Sequence, residues 1–187
     1  MKNILITGGA RSGKSRFAQS LAAESSKPVL FVATAEAGDE EMRLRIEEHR
    51  RSRPSDWTTL EVTRDVAKAI ARQIGAAQLV IVDCITMLVS NVMGYHAGCG
   101  GGQIDDSLAG KEVVTEINRL IEMMKRLDAG FIMVTNEVGG GLVPDNEMGR
   151  LYRDLLGKAN QLLAQQADEV YLMVAGLPVL VKPASGR

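Results

Sequence analysis

Short, almost continuously apolar runs alternate along the chain with longer stretches of helical period. Asn3–Thr7, Val29–Thr34, Leu79–Asp83, Phe131–Thr135 and Glu169–Val174 lack the polar–apolar alternation of a half-solvated strand, which predicts parallel strands covered on both faces. Between them, apolar positions recur at helical spacing over Lys14–Ala23, Glu40–Arg50, Asp65–Ile74, Lys111–Arg126 and Glu147–Gln165. This order predicts an α/β doubly wound sheet. The end of the chain differs, because Glu169–Val174 and Pro178–Lys182 are separated only by a short turn containing Gly176. That spacing is too short for a parallel crossover and predicts an antiparallel hairpin at one edge of the sheet. Two segments carry neither period. The glycine-rich Tyr95–Gly102 reads as a mobile loop, and Val138–Asn146 directly follows a strand's C-terminal end, where α/β proteins build their sites.

Length and composition narrow the classes. At 187 residues, 45% hydrophobic and 24% charged, the chain suits one catalytic domain, residues 1–187, with a substantial core. A net charge of -1 and 4% aromatic residues argue against a nucleic-acid coat or a single-strand stacking platform. No apolar run reaches the roughly 20 residues that span a bilayer, and no signal-peptide pattern precedes the first strand. Cys84 and Cys99 have neither metal-ligand spacing nor the arrangement of a disulfide framework. The expected compartment is the cytoplasm.

The first strand runs into Gly8-Gly9-Ala10-Arg11-Ser12-Gly13-Lys14-Ser15, a full match to G-x-x-x-x-G-K-[ST] with a strand before it and a helix after it. Gly8 and Gly13 allow backbone conformations and close approaches that a Cβ would obstruct. Backbone N–H groups and the helix N-terminus then offer positive dipole to phosphate oxygens. Lys14 is expected to reach the β- and γ-phosphates, and Ser15 to offer its hydroxyl to Mg²⁺. Asp83 ends an apolar strand and is the candidate second metal-holding group, with capping of the next turn as the plain structural alternative. These features specify a nucleotide seat and leave the substrate open. There is no N-K-x-D guanine-reading motif and no evident adenylate-kinase-like lid.

The segment from Asp39 to Trp57 starts acidic and ends basic, which suits a helix dipole. Met42, Ile46 and His49 share one helical face. His49 can therefore be a packed helix-end histidine. Arg50, Arg51 and Arg53 also surround it with charge suited to triphosphate oxygens, and a neutral imidazole there could attack an α-phosphate.

Taken together, "GGARSGKS", "FVATAE", "DEEMRLRIEEHRRSRPSDW", "VDCIT" and "TNEVGGGLVPDN" resemble the bifunctional adenosylcobinamide kinase/adenosylcobinamide-phosphate guanylyltransferase family of cobalamin biosynthesis. The likeness runs from Asn3 to Lys182, and its H-x-x-x-R-P and N-E-V-G-x-G-x-V-P segments are far more restrictive than the phosphate loop. The resemblance implies a RecA-like three-layer P-loop NTPase fold and a homotrimer with the nucleotide site close to a subunit interface. It implies that Gly8 to Ser15 hold phosphates and that Thr34, Ala35 and Glu36 line the nucleotide site. It further implies that His49 accepts GMP, with Arg50, Arg51, Ser52 and Arg53 flanking it in the GTP site. Glu61 and Asp83 match further nucleotide- or metal-contacting acids. The implied partners are a small corrinoid, ATP, GTP and Mg²⁺, with no nucleic acid. At Tyr95–Gly102 the chain departs from the family pattern; His96 there reads as an exposed loop histidine, and Cys84 as a small buried residue.

Asp83 and Glu137 are candidates for a kinase general base by position alone, and Glu137 can instead order its own loop. Two other functions are compatible with parts of the pattern: a small-molecule kinase without guanylyl transfer, with His49 structural, and a RecA-like regulatory ATPase that changes partner contacts.

Overall fold

The strands and helices follow one another as β1 (Asn3–Gly8), α1 (Lys14–Glu24), β2 (Val29–Ala33), α2 (Glu40–Arg51), β3 (Thr58–Glu61), α3 (Val66–Gln73), β4 (Leu79–Asp83), α4 (Ile85–His96), α5 (Asp106–Arg126), β5 (Gly130–Val134), α6 (Glu147–Gln166), β6 (Glu169–Val174) and β7 (Leu177–Lys182). This computed structural model describes residues 2–36, 38, 40–51, 53–96 and 106–184. The predicted Gly-rich loop lies mostly outside the described residues, as do Ser52 and Cys99; Tyr95 and His96 close α4.

All seven strands join one sheet in the order β3-β2-β4-β5-β1-β6-β7. Every pairing is parallel except β6 with β7, so the hairpin stands at the edge where its short connection placed it. The turn is Ala175-Gly176, both at positive φ (51° and 85°). Such a two-residue turn twists with the strands it joins.

The central strands bury both faces, which is why their sequences carry no period-two signal. Leu5, Val32, Val80, Val82, Phe131 and Met133 face α3, α4, α5 and α6 on one side. Ile6, Phe31, Ile81, Ile132 and Val134 face α1 on the other. Helices on both faces of the sheet make the expected three layers. α6 is capped at both ends. The Asn146 side chain accepts the Gly149 N–H at 2.7 Å, and Lys182 Nζ donates to the carbonyls of Ala164, Gln165 and Ala167 at 2.6–3.2 Å, a cation at the negative end of the helix.

Two elements go beyond the sequence expectation. β3 carries one buried side chain, Leu60, too little apolar pattern to announce a strand. α4 buries Ile85, Leu88, Val89, Val92 and Met93 under α5 and α6, and so wide an apolar surface blurs the 3.6-residue period.

Candidate functional site

β1 ends in the middle of the sheet, beside β5 and one strand from β4. Its continuation forms a phosphate loop braced from two sides. On one side the Glu137 N–H donates to the Gly8 carbonyl at 3.0 Å; on the other the Gly176 N–H donates to the Ser12 carbonyl at 3.1 Å. Gly8 (φ 149°) lies so close to β6 that a Cβ there would meet the Met173 carbonyl oxygen at 2.6 Å, which side chains do not tolerate. Gly13 (φ 93°) lies against Gly176, and its left-handed backbone favours glycine. Lys14 is 7% exposed, and its ammonium donates to the Gly9 carbonyl at 2.6 Å.

β4 brings Asp83 to the same end of the sheet. Its Oδ2 is shielded and has no hydrogen-bond partner among the described residues. Burial raises the carboxyl above the usual carboxylate range, while the Ser15 hydroxyl and the positive charges of His49, Arg53 and Lys14 oppose that rise. Such an orphaned oxygen beside a serine hydroxyl fits a hard cation, which takes oxygen ligands. Among the described residues no cluster of three or more His, Cys, Asp or Glu side chains forms a self-sufficient metal cage; the two oxygens would be completed by substrate and water, as Mg²⁺ commonly is.

These groups open on a cleft of about 1400 Å³, lined by Arg11 to Ser15 of the phosphate loop and, from β2, α2 and β3 and the segments after them, by Ala35, Glu36, His49, Arg50, Arg53 and Glu61. α2 forms a second wall. Its basic end carries His49, Arg50 and Arg51. The guanidinium of Arg53 stacks on the Phe31 ring, 3.9 Å from its centroid, with Trp57 stacked beyond it on the same ring. Arg53 Nε and Nη1 are buried and lack partners among the described residues. Burial lowers its pKa while Asp83 raises it, so a cation is held in the cleft with donors to spare for an oxyanion.

Other expected residues have different surroundings. Thr34 is fully buried and is not among the residues that line the cleft. Its hydroxyl donates to the Cys84 carbonyl at 2.7 Å and accepts the Cys84 N–H at 2.8 Å, fixing the chain just past Asp83. The Asn91 amide donates to the carbonyls of Thr34 (2.8 Å) and Thr63 (3.2 Å), tying α4 to the ends of β2 and β3. Gly8, Gly9 and Ala10 shape the loop without lining the cleft. Arg51 points to solvent, its side chain 83% exposed beside Glu47. Arg50 ion-pairs with Glu61, so those two cleft residues meet each other here. Glu137 is exposed, and its carboxylate accepts the Gly139 N–H at 2.6 Å, which is the loop-ordering role. Burial pushes the Cys84 thiol up to about 11, the behaviour of an inert packed cysteine.

Sequence reasoning missed Thr86 and Asn136, both in the cleft wall, as well as Asn91 and Gly176 behind it. Asn136 lay within the quoted "TNEVG", but only its register beside the phosphate loop singles it out.

Solved structures share the fold. An ATPase from a type III secretion system of pathogenic bacteria superposes with a TM-score of 0.58 at 13% identity, covering 96% of this chain and 56% of that one. The RadB recombinase gives 0.50 at 16% identity, covering 91% and 73%. At such identities the likeness is one of fold alone. Sequence relatives are much nearer. The bifunctional adenosylcobalamin biosynthesis protein CobU of Escherichia coli (strain K12) is 41% identical over 180 residues, 96% of this chain and 99% of that protein. CobP of Pseudomonas aeruginosa, of the same description, is 41% identical over 178 residues, 95% and 96% of the two chains. Residues 4–181 match the cobinamide kinase/cobinamide phosphate guanyltransferase family, to which this chain belongs.

Proposed function

We propose that this protein phosphorylates adenosylcobinamide with ATP or GTP and then transfers GMP from GTP to the product, through a histidyl-GMP intermediate at His49. The observation that carries this reading is the convergence of His49 and Arg53, from across the cleft, on the Lys14–Ser15–Asp83 corner. A seat of that corner alone would serve a simple kinase.

In the first reaction the aminopropanol hydroxyl of the corrinoid attacks the γ-phosphorus, and the bond to the β,γ-bridging oxygen breaks. The loop amides and Lys14 stabilise charge on the transferring group and on the leaving diphosphate. Ser15 and Asp83 would hold Mg²⁺, which when bound neutralises phosphate charge. In the second reaction an imidazole nitrogen of His49 attacks the α-phosphorus of GTP, and pyrophosphate leaves. A phosphate oxygen of adenosylcobinamide phosphate then attacks the same phosphorus, freeing the imidazole and giving adenosylcobinamide-GDP. Attack requires a neutral imidazole, whose ring nitrogen carries the attacking lone pair. It also requires His49 to lie in line with the departing pyrophosphate at about 3–3.5 Å. We infer that α2 shifts on GTP binding to reach that geometry; structures with and without GTP that superpose along α2 would refute the shift.

The assembly that goes with this reading is a homotrimer. β7 supports it, because Leu177, Val179, Leu180 and Val181 are 48–69% exposed on an edge strand, an apolar surface that association would cover. A cytoplasmic location suits an enzyme that consumes ATP and GTP, and no helix among the described residues is long and apolar enough to cross a membrane.

Incubation with GTP labelled at the α-phosphate, followed by denaturation, should leave an acid-labile, alkali-stable label on the protein. Absence of the label, or its persistence in His49→Ala, would overturn the guanylyl-transfer mechanism. Adenosylcobinamide phosphorylation with ATP is assayed separately, since His49 need not take part.

A further inference from the structure

The backbone of β5 does not stop pairing at its last strand residue. The Thr135 N–H donates to the Ile6 carbonyl at 2.9 Å and the Glu137 N–H to the Gly8 carbonyl at 3.0 Å, a parallel ladder step carried on to the start of the phosphate loop. Asn136, between them, therefore lies alongside Thr7 and Gly8. On its other flank is β4, whose Asp83 is in register with Val134. Asn136 is thus placed between the phosphate loop and the metal-side carboxylate, where the terminal phosphate of a nucleotide seated on Lys14 would lie.

Its own backbone is held by side chains from two helices. Thr86 Oγ1 of α4 accepts the Asn136 N–H at 2.7 Å, and Asn160 Nδ2 of α6 donates to the Asn136 carbonyl at 3.0 Å. The neighbouring Thr135, fully buried, turns its hydroxyl to α6 and donates to Asn160 Oδ1 at 2.7 Å. Alternation along an extended backbone turns the Asn136 side chain to the opposite face, the face of Val134 and α1, where Asn136 lines the cleft with Lys14, Ser15, Asp83 and Thr86. A loop residue held at both backbone groups, with a donor–acceptor amide turned into a phosphate seat, is built for positioning.

We propose that the Asn136 amide donates to the γ-phosphate and makes the seat distinguish a nucleoside triphosphate from its diphosphate, with Thr86 and Asn160 as the positioning residues that hold it there. The inference rests on the cleft being a nucleoside-triphosphate seat. It adds the residue that reads whether the transferable phosphoryl group is present. A diphosphate product, lacking that contact, leaves more readily than the triphosphate.

The test compares the affinity of the full chain for ADP and for the non-hydrolysable triphosphate AMP-PNP, each with Mg²⁺, by calorimetry. Asn136→Ala should lose about tenfold or more in AMP-PNP affinity, the usual worth of a hydrogen bond to a charged group, with ADP affinity unchanged. Asn136→Asp should lose more, again selectively for the triphosphate, because it sets a carboxylate against the phosphate. Thr86→Val, nearly isosteric but without the acceptor, should lose part of the discrimination, and Thr86→Ser should keep it. Equal losses for ADP and AMP-PNP, or no loss for either, in both Asn136 variants would overturn the proposal while leaving the seat intact. A wild-type chain that bound neither nucleotide would overturn the seat and this inference with it.

Discussion

The two walls of the cleft are built differently. The phosphate-loop wall is backbone: main-chain hydrogen bonds join Gly8 to Glu137 and Ser12 to Gly176, Lys14 is buried, and Gly8 and Gly13 pack against β6 and the β6–β7 turn. The α2 wall is side chain and surface. Arg43 pairs with Glu40 and Glu47, Arg51 with Glu47 and Arg50 with Glu61, all through exposed groups, and such pairs contribute little. The Arg53–Phe31–Trp57 stack anchors the segment after α2 to the sheet. The difference teaches a division of labour. Phosphates need preorganised dipoles that cost nothing to reorganise during reaction; on the proposed mechanism, a nucleophile that must meet the α-phosphorus of one substrate and stay clear of another would gain from a wall held by exposed pairs.

Substitutions that separate the two walls should show effects of graded size. Lys14→Ala strikes the shared seat and should lower both phosphoryl transfer and histidyl-GMP formation by roughly 10³-fold or more; loss of only one reaction would mean the reactions use separate seats. His49→Ala strikes the α2 wall alone. It should abolish the labelled adduct while leaving adenosylcobinamide phosphorylation within about threefold of wild type, and a parallel collapse of kinase turnover would give His49 a role in both.

Arg53→Leu keeps the stack's bulk but removes the charge, and it should slow adduct formation by about 10- to 100-fold, more than it slows the kinase. Equal slowing would move Arg53 to the shared seat. Asp83→Asn should stop Mg²⁺-dependent turnover yet raise the apo protein's Tm by a few degrees at neutral pH, since the buried carboxylate is held there for function. The sign follows from its raised carboxyl: stability linked to Asp83 is present below its unfolded pKa and lost as pH rises through the folded one. The Tm gain should therefore vanish in acid, and a Tm drop at neutral pH would show the carboxylate stabilising the apo fold. The smallest effect belongs to Arg50→Ala, which breaks an exposed pair and should leave Tm unchanged while altering the GTP concentration dependence of adduct formation by a few-fold.

How far the sequence could be read depended on how local each signal was. The strand–loop–helix of residues 3–24, the final hairpin and α6 were legible because their signals lie within a few residues: a motif, a short turn, a helical period. β3 escaped because one buried leucine makes no pattern, and α4 because burial under two helices erases the period on which helix reading relies. The same boundary divides the site. Lys14, Ser15 and Asp83 could be named from a motif and a strand end. Thr34, named as a cleft residue, is a brace behind Asp83; that depends on a contact 50 residues away with Cys84.

The chain's local chemistry was sufficient to specify a phosphate loop, a parallel sheet to carry it and a histidine within a basic helix end. Each arises from backbone geometry, side-chain period or charge over a few neighbouring positions. Whether that histidine shared a cleft with the phosphate loop, whether Arg50 met Glu61, and which residue came to lie beside the end of β1 were decided by the tertiary fold. Setting β5 between β4 and β1 puts Asn136 against Gly8 across more than 120 residues of chain. No local pattern encodes that juxtaposition, because it is created by the packing that buries both faces of the sheet.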